Sequence, residues 1–198
     1  MWAKVESNSV TEIYIRPTAI TIGDINYPQN IMSMWSDSEL EAIGIYSIVQ
    51  DDSNLKDNKY YINGNTTVSY SGGVVTQTYG VATARSLTDT LYTAEDEAAI
   101  PSQVEGTLKT SGLKPKMKSN INSLARGLLT DYDWYTLRAA SGGEATPAAV
   151  TTYQAGVRTK ANSMCTQIDN AADIDALEAL YVYTDGTRPL GEWPSEPS

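Results

Sequence analysis

Residues 124–158 constrain the fold of this chain more than any other stretch, because they carry the start and stop signals of a helical hairpin. Leading into this stretch, apolar residues recur three or four positions apart, which is the spacing of one helix face. These residues are Leu113, Met117, Ile121, Leu124 and Leu128. The pattern predicts a helix over about residues 115–129.

Signals for a short second helix follow directly. Asp131 and Asp133 have short acceptor side chains, and each can take an N-cap position. The pair Gly142 and Gly143 predicts where this helix ends. We interpret the two aspartates as caps rather than as a catalytic carboxylate pair, because aspartate is among the residues most favoured at N-caps.

A third helix is predicted after residue 146. Thr146 followed by Pro147 is typical of an N-cap with proline at the first helical position. Trp134 then lies between two helices, so we expect it to be buried against Leu128 and Tyr153. The apolar stripe of the third helix contains Val150, Tyr153, Val157, Ala161, Met164 and Ile168.

The hairpin also carries an ordered set of residues, namely Arg126, Leu128, Leu129, Asp133, Trp134, Arg138, Pro147, Val150, Tyr153 and Arg158. This order resembles the C-terminal domain of tail-assembly chaperones and tail-fibre assembly proteins of tailed phages. The opening of the chain is similar to the module that precedes such domains in phages of marine bacteria, through Trp2, Ala3, Lys4, Ile22, Gly23, Tyr27, Pro28, Trp35, Ser36, Leu40, Gly44 and Ile45. The resemblance implies either a protein of the particle or a non-virion assembly factor.

Signals for β-strands dominate the first part of the chain. Turns are predicted at four dipeptides between β-branched and aromatic runs: Ser7-Asn8, Gly23-Asp24, Asn63-Gly64 and Gly72-Gly73. One short helix interrupts the strands. Its start is predicted by Ser36 with Glu39, which form a capping box, and its end by Gly44.

The predicted fold class is α+β. Residues 1–85 form an antiparallel β module with one short helix. Residues 86–112 lack a steady apolar period and carry the acidic run Glu95, Asp96 and Glu97, so we predict a connector with one helical turn there. Residues 113–198 form a helical hairpin domain with an extended C-terminal tail.

The last part of the chain contains a further helix and the tail. Asp173 predicts an N-cap, and residues 181–183 predict a short strand closed by a turn at Asp185-Gly186. The tail contains Leu190 and Trp193. We expect it to dock on a protein surface, because a free proline-rich tail seldom carries a tryptophan.

Charge restricts the partners. The formal charge of −10 argues against nucleic acid and anionic membranes, which bind through lysine and arginine. A cluster of Lys109, Lys114, Lys116 and Lys118 is a candidate electrostatic contact, although a solvated face is the usual explanation. No apolar run approaches the roughly 18 residues of a spanning helix, and the start lacks a signal-peptide core, so we expect no membrane insertion.

Residue chemistry argues against catalysis. The chain has no histidine, which removes the commonest general base and the Ser-His-Asp arrangement. The single Cys165 cannot form a thiolate cluster, and it lies beside Met164 on an apolar helix face, which favours burial. We therefore predict no catalytic residue, no cofactor and no metal site, and no enzymatic activity.

These observations predict a structural or interaction protein of a tailed bacteriophage. We expect a tail or tail-fibre-associated virion component, assembled in the host cytoplasm, with other tail proteins and copies of itself as partners. Alternatives are a tail-fibre assembly chaperone that leaves the particle and a carbohydrate-binding host-attachment module, which the four tryptophans and 13 tyrosines would suit. The predicted partner-binding residues are Trp134, Arg138, Tyr153, Arg158, Leu190 and Trp193.

Overall fold

The computed structural model describes residues 1–197. The chain divides into two compact units, Met1–Thr83 and Ala84–Ser198. Strands fill most of the first unit and helices most of the second, so the α+β class predicted from the sequence is confirmed. The division lies next to the predicted boundary at residue 85, and residues 86–112 belong to the second unit.

Strands and short helices make up the first unit. They are β1 (Trp2–Glu6), β2 (Ser9–Tyr14), β3 (Ile20–Ile22), β4 (Ile25–Tyr27), α1 (Ile31–Met34), α2 (Asp37–Glu41), β5 (Ile45–Asp51), β6 (Tyr61–Ile62), β7 (Thr66–Ser71) and β8 (Val74–Tyr79). The short strand β9 (Thr83–Ala84) lies at the division between the units.

The main sheet of the first unit has the strand order β2-β1-β5-β8-β7. Strand β5 is antiparallel to β1 and parallel to β8, and the other neighbours are antiparallel. The turns predicted at Ser7-Asn8, Gly23-Asp24 and Gly72-Gly73 each join a hairpin, whereas residues 63–65 connect β6 to β7, which lie in different sheets. Ser7 and Asn8 have φ values of 50° and 63°, and Gly72 and Gly73 have 60° and 86°, which is the left-handed backbone that two-residue hairpins require.

The core of the first unit lies between the sheet and its short helices. Ile20, Ile31, Met32, Leu40 and Ile45 are its buried residues. The predicted capping box of α2 is confirmed, because the Ser36 N–H donates to Glu39 Oε2 at 2.8 Å and the Glu39 N–H donates to Ser36 Oγ at 3.4 Å. Gly44, at φ +79°, follows α2 as predicted.

Helices dominate the second unit. Its elements are β10 (Thr90–Leu91), α3 (Ala94–Ala99), β11 (Leu108–Thr110), α4 (Leu113–Thr130), α5 (Asp133–Ala140), α6 (Ala148–Asn170) and α7 (Ile174–Ala179). The long helices α4 and α6 pack against each other. Lys118 forms an ion pair with Asp169, and Cys165 Sγ approaches Asn122 Oδ1 at 3.9 Å, so the two helices run antiparallel.

The apolar stripe predicted on α6 is confirmed, and the stripe on α4 is confirmed at its first three positions. Leu124 was wrongly placed on the buried face, since it is 56% exposed and Ala125 is buried instead. The buried residues Leu113, Met117 and Ile121 advance by four, and the next step of four reaches residue 125. A four-residue step turns a helix only about 40°, so Ala125 stays on the packed face.

The predicted caps of α5 and α6 are wrong. Tyr132 is the N-cap of α5 without a side-chain bond, Asp131 lies at the end of α4, and Asp133 is the first helical residue. Pro147 is the N-cap of α6, with an extended ψ of 141°. Its side chain has no acceptor. The hydroxyl of Thr146 donates instead to the Tyr135 carbonyl at 3.3 Å.

The helical turn expected within residues 86–112 is present as α3, and the segment also contains two strands that the sequence did not predict. Strands β10 and β11 pair, and Thr93 with Asp96 forms a capping box at the start of α3. Lys109 Nζ lies 2.7 Å from Asp96 Oδ1, so an ion pair joins β11 to α3. Polar contacts connect these elements, and α3 has no buried residue. The segment therefore needs no periodic apolar stripe in its sequence.

The strand predicted at residues 181–183 does not form within residues 1–197. The turn at Asp185-Gly186 is present, with φ values of 52° and 77°. Tyr181 N–H donates to the Glu178 carbonyl and Val182 N–H to the Ala179 carbonyl, which extends a helical turn beyond α7. The predicted cap of α7 is confirmed, since Asp173 Oδ1 accepts from Ala176 N–H at 2.8 Å.

Candidate interaction surface of the helical unit

A groove of about 460 Å³ lies between α4 and α6. We call it the arginine groove. Its lining from α4 is Asn122, Ala125, Arg126 and Leu129, and its lining from α6 is Arg158, Ala161 and Asn162. Asp133 at the start of α5 completes the wall.

Helix geometry explains why these side chains meet. On each helix the lining residues are three or four positions apart, and therefore share one flank beside the buried stripe. The small side chains of Ala125 and Ala161 are both buried. Because alanine fills little space, the longer side chains beside it border an open groove rather than a filled contact.

The two guanidinium groups have no protein counterion. Neither Arg126 nor Arg158 forms an ion pair within residues 1–197, and both side chains are exposed. Asp133 is the acidic residue in the lining, and it too lacks an ion pair within the same residues. The amides Asn122 and Asn162 add neutral donors and acceptors. The groove is therefore positively charged and open to hydrogen bonding.

A second exposed surface lies on α5. Trp134, Leu137 and Arg138 follow the three-and-four spacing of one helix face, which we call the α5 face. The Arg138 guanidinium lies 4.9 Å from the Trp134 ring centroid and 5.4 Å from that of Tyr135, within the range of cation–π attraction. Arg138 also pairs with Glu144 at 3.3 Å.

The predicted burial of Trp134 is wrong. Its side chain is 49% exposed, and Leu137 beside it is 67% exposed. The ring that packs on Tyr153 belongs to Tyr132, with centroids 5.0 Å apart at 61°. Tyr132 is also held against α6 by Gln154, whose side-chain amide donates to the Tyr132 carbonyl at 3.3 Å. Trp134, two residues later on α5, points away from Tyr153.

Tyr153 lies inside the helical unit. It is buried, its hydroxyl has no hydrogen-bond partner among the described residues, and desolvation raises the pKa of its hydroxyl. Leu190 is fully buried, and its N–H donates to the Leu180 carbonyl at 3.1 Å. Neither side chain is accessible to a partner in this conformation.

The remaining predicted residues fall at three places. Trp134 and Arg138 share the α5 face, Arg158 lines the arginine groove, and Trp193 is half-buried in the tail. The tail lies against α6, where a Cβ added at Gly156 would meet Pro194 Cγ at 3.3 Å. The expected docking of the tail is thus satisfied within its own unit.

Sequence reasoning missed the pairing of Arg126 with Arg158. The resemblance contains both Arg126 and Arg158, but the sequence does not show that they lie together. The available signal was spacing, since Arg126 follows the buried Ala125 and Arg158 follows the buried Val157. Each arginine therefore flanks its helix stripe. Which flanks face each other depends on the rotation of both helices.

Two of the four lysines in the predicted cluster have an acidic partner within the chain. Lys109 pairs with Asp96 and Lys118 with Asp169, both at 2.7 Å. Lys114 Nζ donates to the Asp169 carbonyl at 2.8 Å. Hydrogen bonding to Asp169 raises the pKa of Lys118. Lys116 has no ion pair within residues 1–197, and it does not line the arginine groove.

The first unit contains an aromatic pocket of about 380 Å³, lined by Tyr27, Pro28, Asn30, Ile31, Met34 and Trp35. The rings of Tyr27 and Trp35 meet edge to face, with centroids 5.7 Å apart at 81°. Trp35 and Met34 are exposed at its rim. The pocket offers apolar and ring surface with one amide side chain.

Within residues 1–197, no group of three or more histidine, cysteine, aspartate and glutamate side chains is arranged to hold a metal ion. No helix in this range combines the length and the apolar character needed to cross a membrane. Comparison with models of protein families, with curated proteins and with solved structures finds no match.

Proposed function

We propose that this chain is a non-catalytic interaction protein that docks on other proteins through its helical unit. The observation that carries the proposal is the arginine groove, where two arginines without counterions line one cavity. The exposed α5 face lies in the same unit and adds an aromatic ring, an aliphatic side chain and a guanidinium group. Tryptophan and arginine are enriched where protein interfaces are strongest.

Residues 126–158 resemble tail-assembly and tail-fibre assembly proteins of tailed phages. We further propose, from this resemblance, that the chain docks on proteins of a bacteriophage tail. The chain is then a tail or tail-fibre-associated component of the virion, assembled in the host cytoplasm beside other tail proteins and copies of itself. Neither nucleic acid nor a membrane is a partner in this proposal. The net charge of −10 supports that part of it.

The test is a mass-spectrometric inventory of purified phage particles. The chain should be present at a constant ratio to the major tail protein in independent preparations. Amine cross-linking of the same particles should then join tail proteins to lysines of the second unit, such as Lys116 and Lys160. Lys56 and Lys59 of the first unit are the internal control. Cross-links confined to the first unit would contradict docking through the helical unit.

A non-virion assembly chaperone is the alternative within the same class. It would co-purify with unassembled fibre chains from infected cells and be absent from finished particles. The same inventory separates the two roles, because only the virion component persists through purification.

The aromatic pocket of the first unit favours a second candidate, binding of host-surface carbohydrate. Sugar rings stack on exposed aromatic faces, and Asn30 offers both a donor and an acceptor to hydroxyl groups. Glycan-array binding that is lost in Trp35→Ala and kept in Trp134→Ala would support this function. Absence of binding by the wild-type protein would remove it.

A further inference from the structure

The arginine groove has a charge that selects among ligands. Two arginines and one aspartate leave a formal charge of +1 in its lining. In contrast, Lys109, Lys118 and Arg138 of the same unit each have an acidic partner within the chain. Arg16 and Lys116 have no ion pair within residues 1–197 either, so the distinguishing feature of Arg126 and Arg158 is that both line one groove.

The hydrogen-bonding geometry of arginine further restricts the class of ligand that fits the groove. A guanidinium group is a planar fork of donors that matches a carboxylate, and one such pair can be bidentate. Arg126 and Arg158 line the same groove from two helices, so the lining offers a bound carboxylate two guanidinium groups as donors. Asp133 in the same lining opposes a ligand with two negative charges more than a ligand with one.

The rest of the lining suits a side chain rather than a free ion. Leu129, Ala125 and Ala161 supply apolar contact for an aliphatic stem, and Asn122 and Asn162 can bond the ligand's backbone. A volume of about 460 Å³ exceeds what one carboxylate fills and lies within the range of small-ligand clefts.

We propose that the arginine groove binds a glutamate side chain from an acidic segment of the docking partner, with Arg126 and Arg158 as the carboxylate clamp. This inference deepens the proposed interaction function and rests on it only for the source of the segment. Recognition uses the charge of the carboxylate and its two oxygens, so glutamine in the same peptide is a poor substitute.

The test uses the purified full chain and a terminally blocked peptide, acetyl-Ala-Leu-Glu-Ala-amide. Its glutamine counterpart and inorganic phosphate are the comparison probes. Nitrogen-15 NMR should show the Nε–Hε signals of Arg126 and Arg158 shifting with the glutamate peptide. Affinity for the glutamine peptide should be roughly tenfold lower, the worth of one charge-assisted hydrogen bond.

Variants sharpen the result. Arg126→Gln and Arg158→Gln should each weaken glutamate-peptide binding by roughly tenfold or more, and Arg158→Lys should retain only part of it. Arg16→Gln, an exposed arginine of the first unit, is the matched control and should bind like the wild type. If a groove variant fails to fold, the two arginine signals of the wild-type protein still decide the matter.

Three outcomes would overturn the inference. They are equal binding of the two peptides, tighter binding of phosphate than of the glutamate peptide, and peptide binding without any shift at Arg126 or Arg158. The result is separable from the virion inventory. A groove that binds glutamate in a chain absent from particles would leave this inference standing and remove the phage assignment.

Discussion

The two units of this chain satisfy their polar groups in different ways. In the sheet unit, Lys4 pairs with Glu6 at 2.8 Å, and the aromatic pocket is lined by uncharged side chains. In the helical unit, the pair of Lys118 with Asp169 joins two helices, and two arginines without an ion pair within residues 1–197 line one groove. The difference teaches where to look for a partner, because unpaired charge in one groove is available for binding.

In the sheet unit, the Tyr14 hydroxyl contacts a carboxylate of the same unit. Partial burial and the hydrogen bond it donates to Glu12 Oε2 at 2.7 Å raise the pKa of Tyr14 to about 12. No comparable acid faces the guanidinium groups of Arg126 and Arg158 within residues 1–197, apart from the unpaired Asp133 in the groove lining.

Core truncation should give the largest effect in both units. Ile45→Ala in the sheet unit and Met164→Ala in the helical unit remove fully buried side chains, and each should lower the free energy of unfolding by about 2 to 5 kcal/mol. Chemical denaturation with hydrogen exchange measures each change in its own unit. The controls are Val81→Ala and Leu137→Ala, at sites 84% and 67% exposed, which should change stability little.

Replacing either of two glycines in the helical unit by alanine should change the free energy of unfolding in opposite directions. At Gly112 an added Cβ would overlap the backbone of Thr88, which cannot move aside as a flexible side chain could. Gly112→Ala should therefore cost about 1 to 3 kcal/mol or more. Gly127 lies within α4 with open space around it, so Gly127→Ala should stabilise by roughly 0.5 to 1 kcal/mol. Thermal unfolding of both variants checks the contrast.

Trp134→Ala should cost only about 1 kcal/mol, because half of the indole is already exposed. A buried tryptophan would cost about 3 to 5 kcal/mol. Denaturant titration distinguishes these values, with Tyr153→Ala as the buried aromatic comparison in the same unit. A loss at Trp134 as large as that at Tyr153 would place the indole in the core and remove it from the α5 face.

The smallest expected effect concerns the two capping carboxylates. Hydrogen bonding from Lys109 lowers the pKa of Asp96, and hydrogen bonding from Ser36 lowers the pKa of Glu39. Each carboxylate therefore stabilises the folded state above its unfolded pKa. That contribution is lost as the pH falls through the lower folded value.

Added salt should change the pKa values of these two carboxylates by different amounts. The main partner of Asp96 is charged and that of Glu39 is neutral, so concentrated salt should raise the pKa of Asp96 toward its ordinary value and leave that of Glu39 nearly unchanged. Carboxyl-carbon NMR titration at low and high salt measures both. Equal salt sensitivity would show that the ion pair with Lys109 contributes little in solution.

Local signals explain which parts of the fold could be predicted. The turns at Ser7-Asn8 and Gly72-Gly73 depend on residues that tolerate positive φ, and the Ser36 cap depends on a partner three residues away. The caps proposed at Asp131, Asp133 and Thr146 failed, because several short polar residues stood near each helix start. Tertiary packing selected Tyr132 and Pro147 as the boundaries instead.

The sequence by itself determined the hairpin turns, the helix stripes and the α+β class, because each depends on backbone preferences and spacing within a few residues. Only the tertiary structure decided that Arg126 and Arg158 share a groove and that Tyr132 displaces Trp134 from Tyr153. Those outcomes depend on how far α4 and α6 rotate and how closely they approach. Side-chain volumes at positions such as Ala125 and Ala161 control that approach, and these residues meet only after the helices have packed.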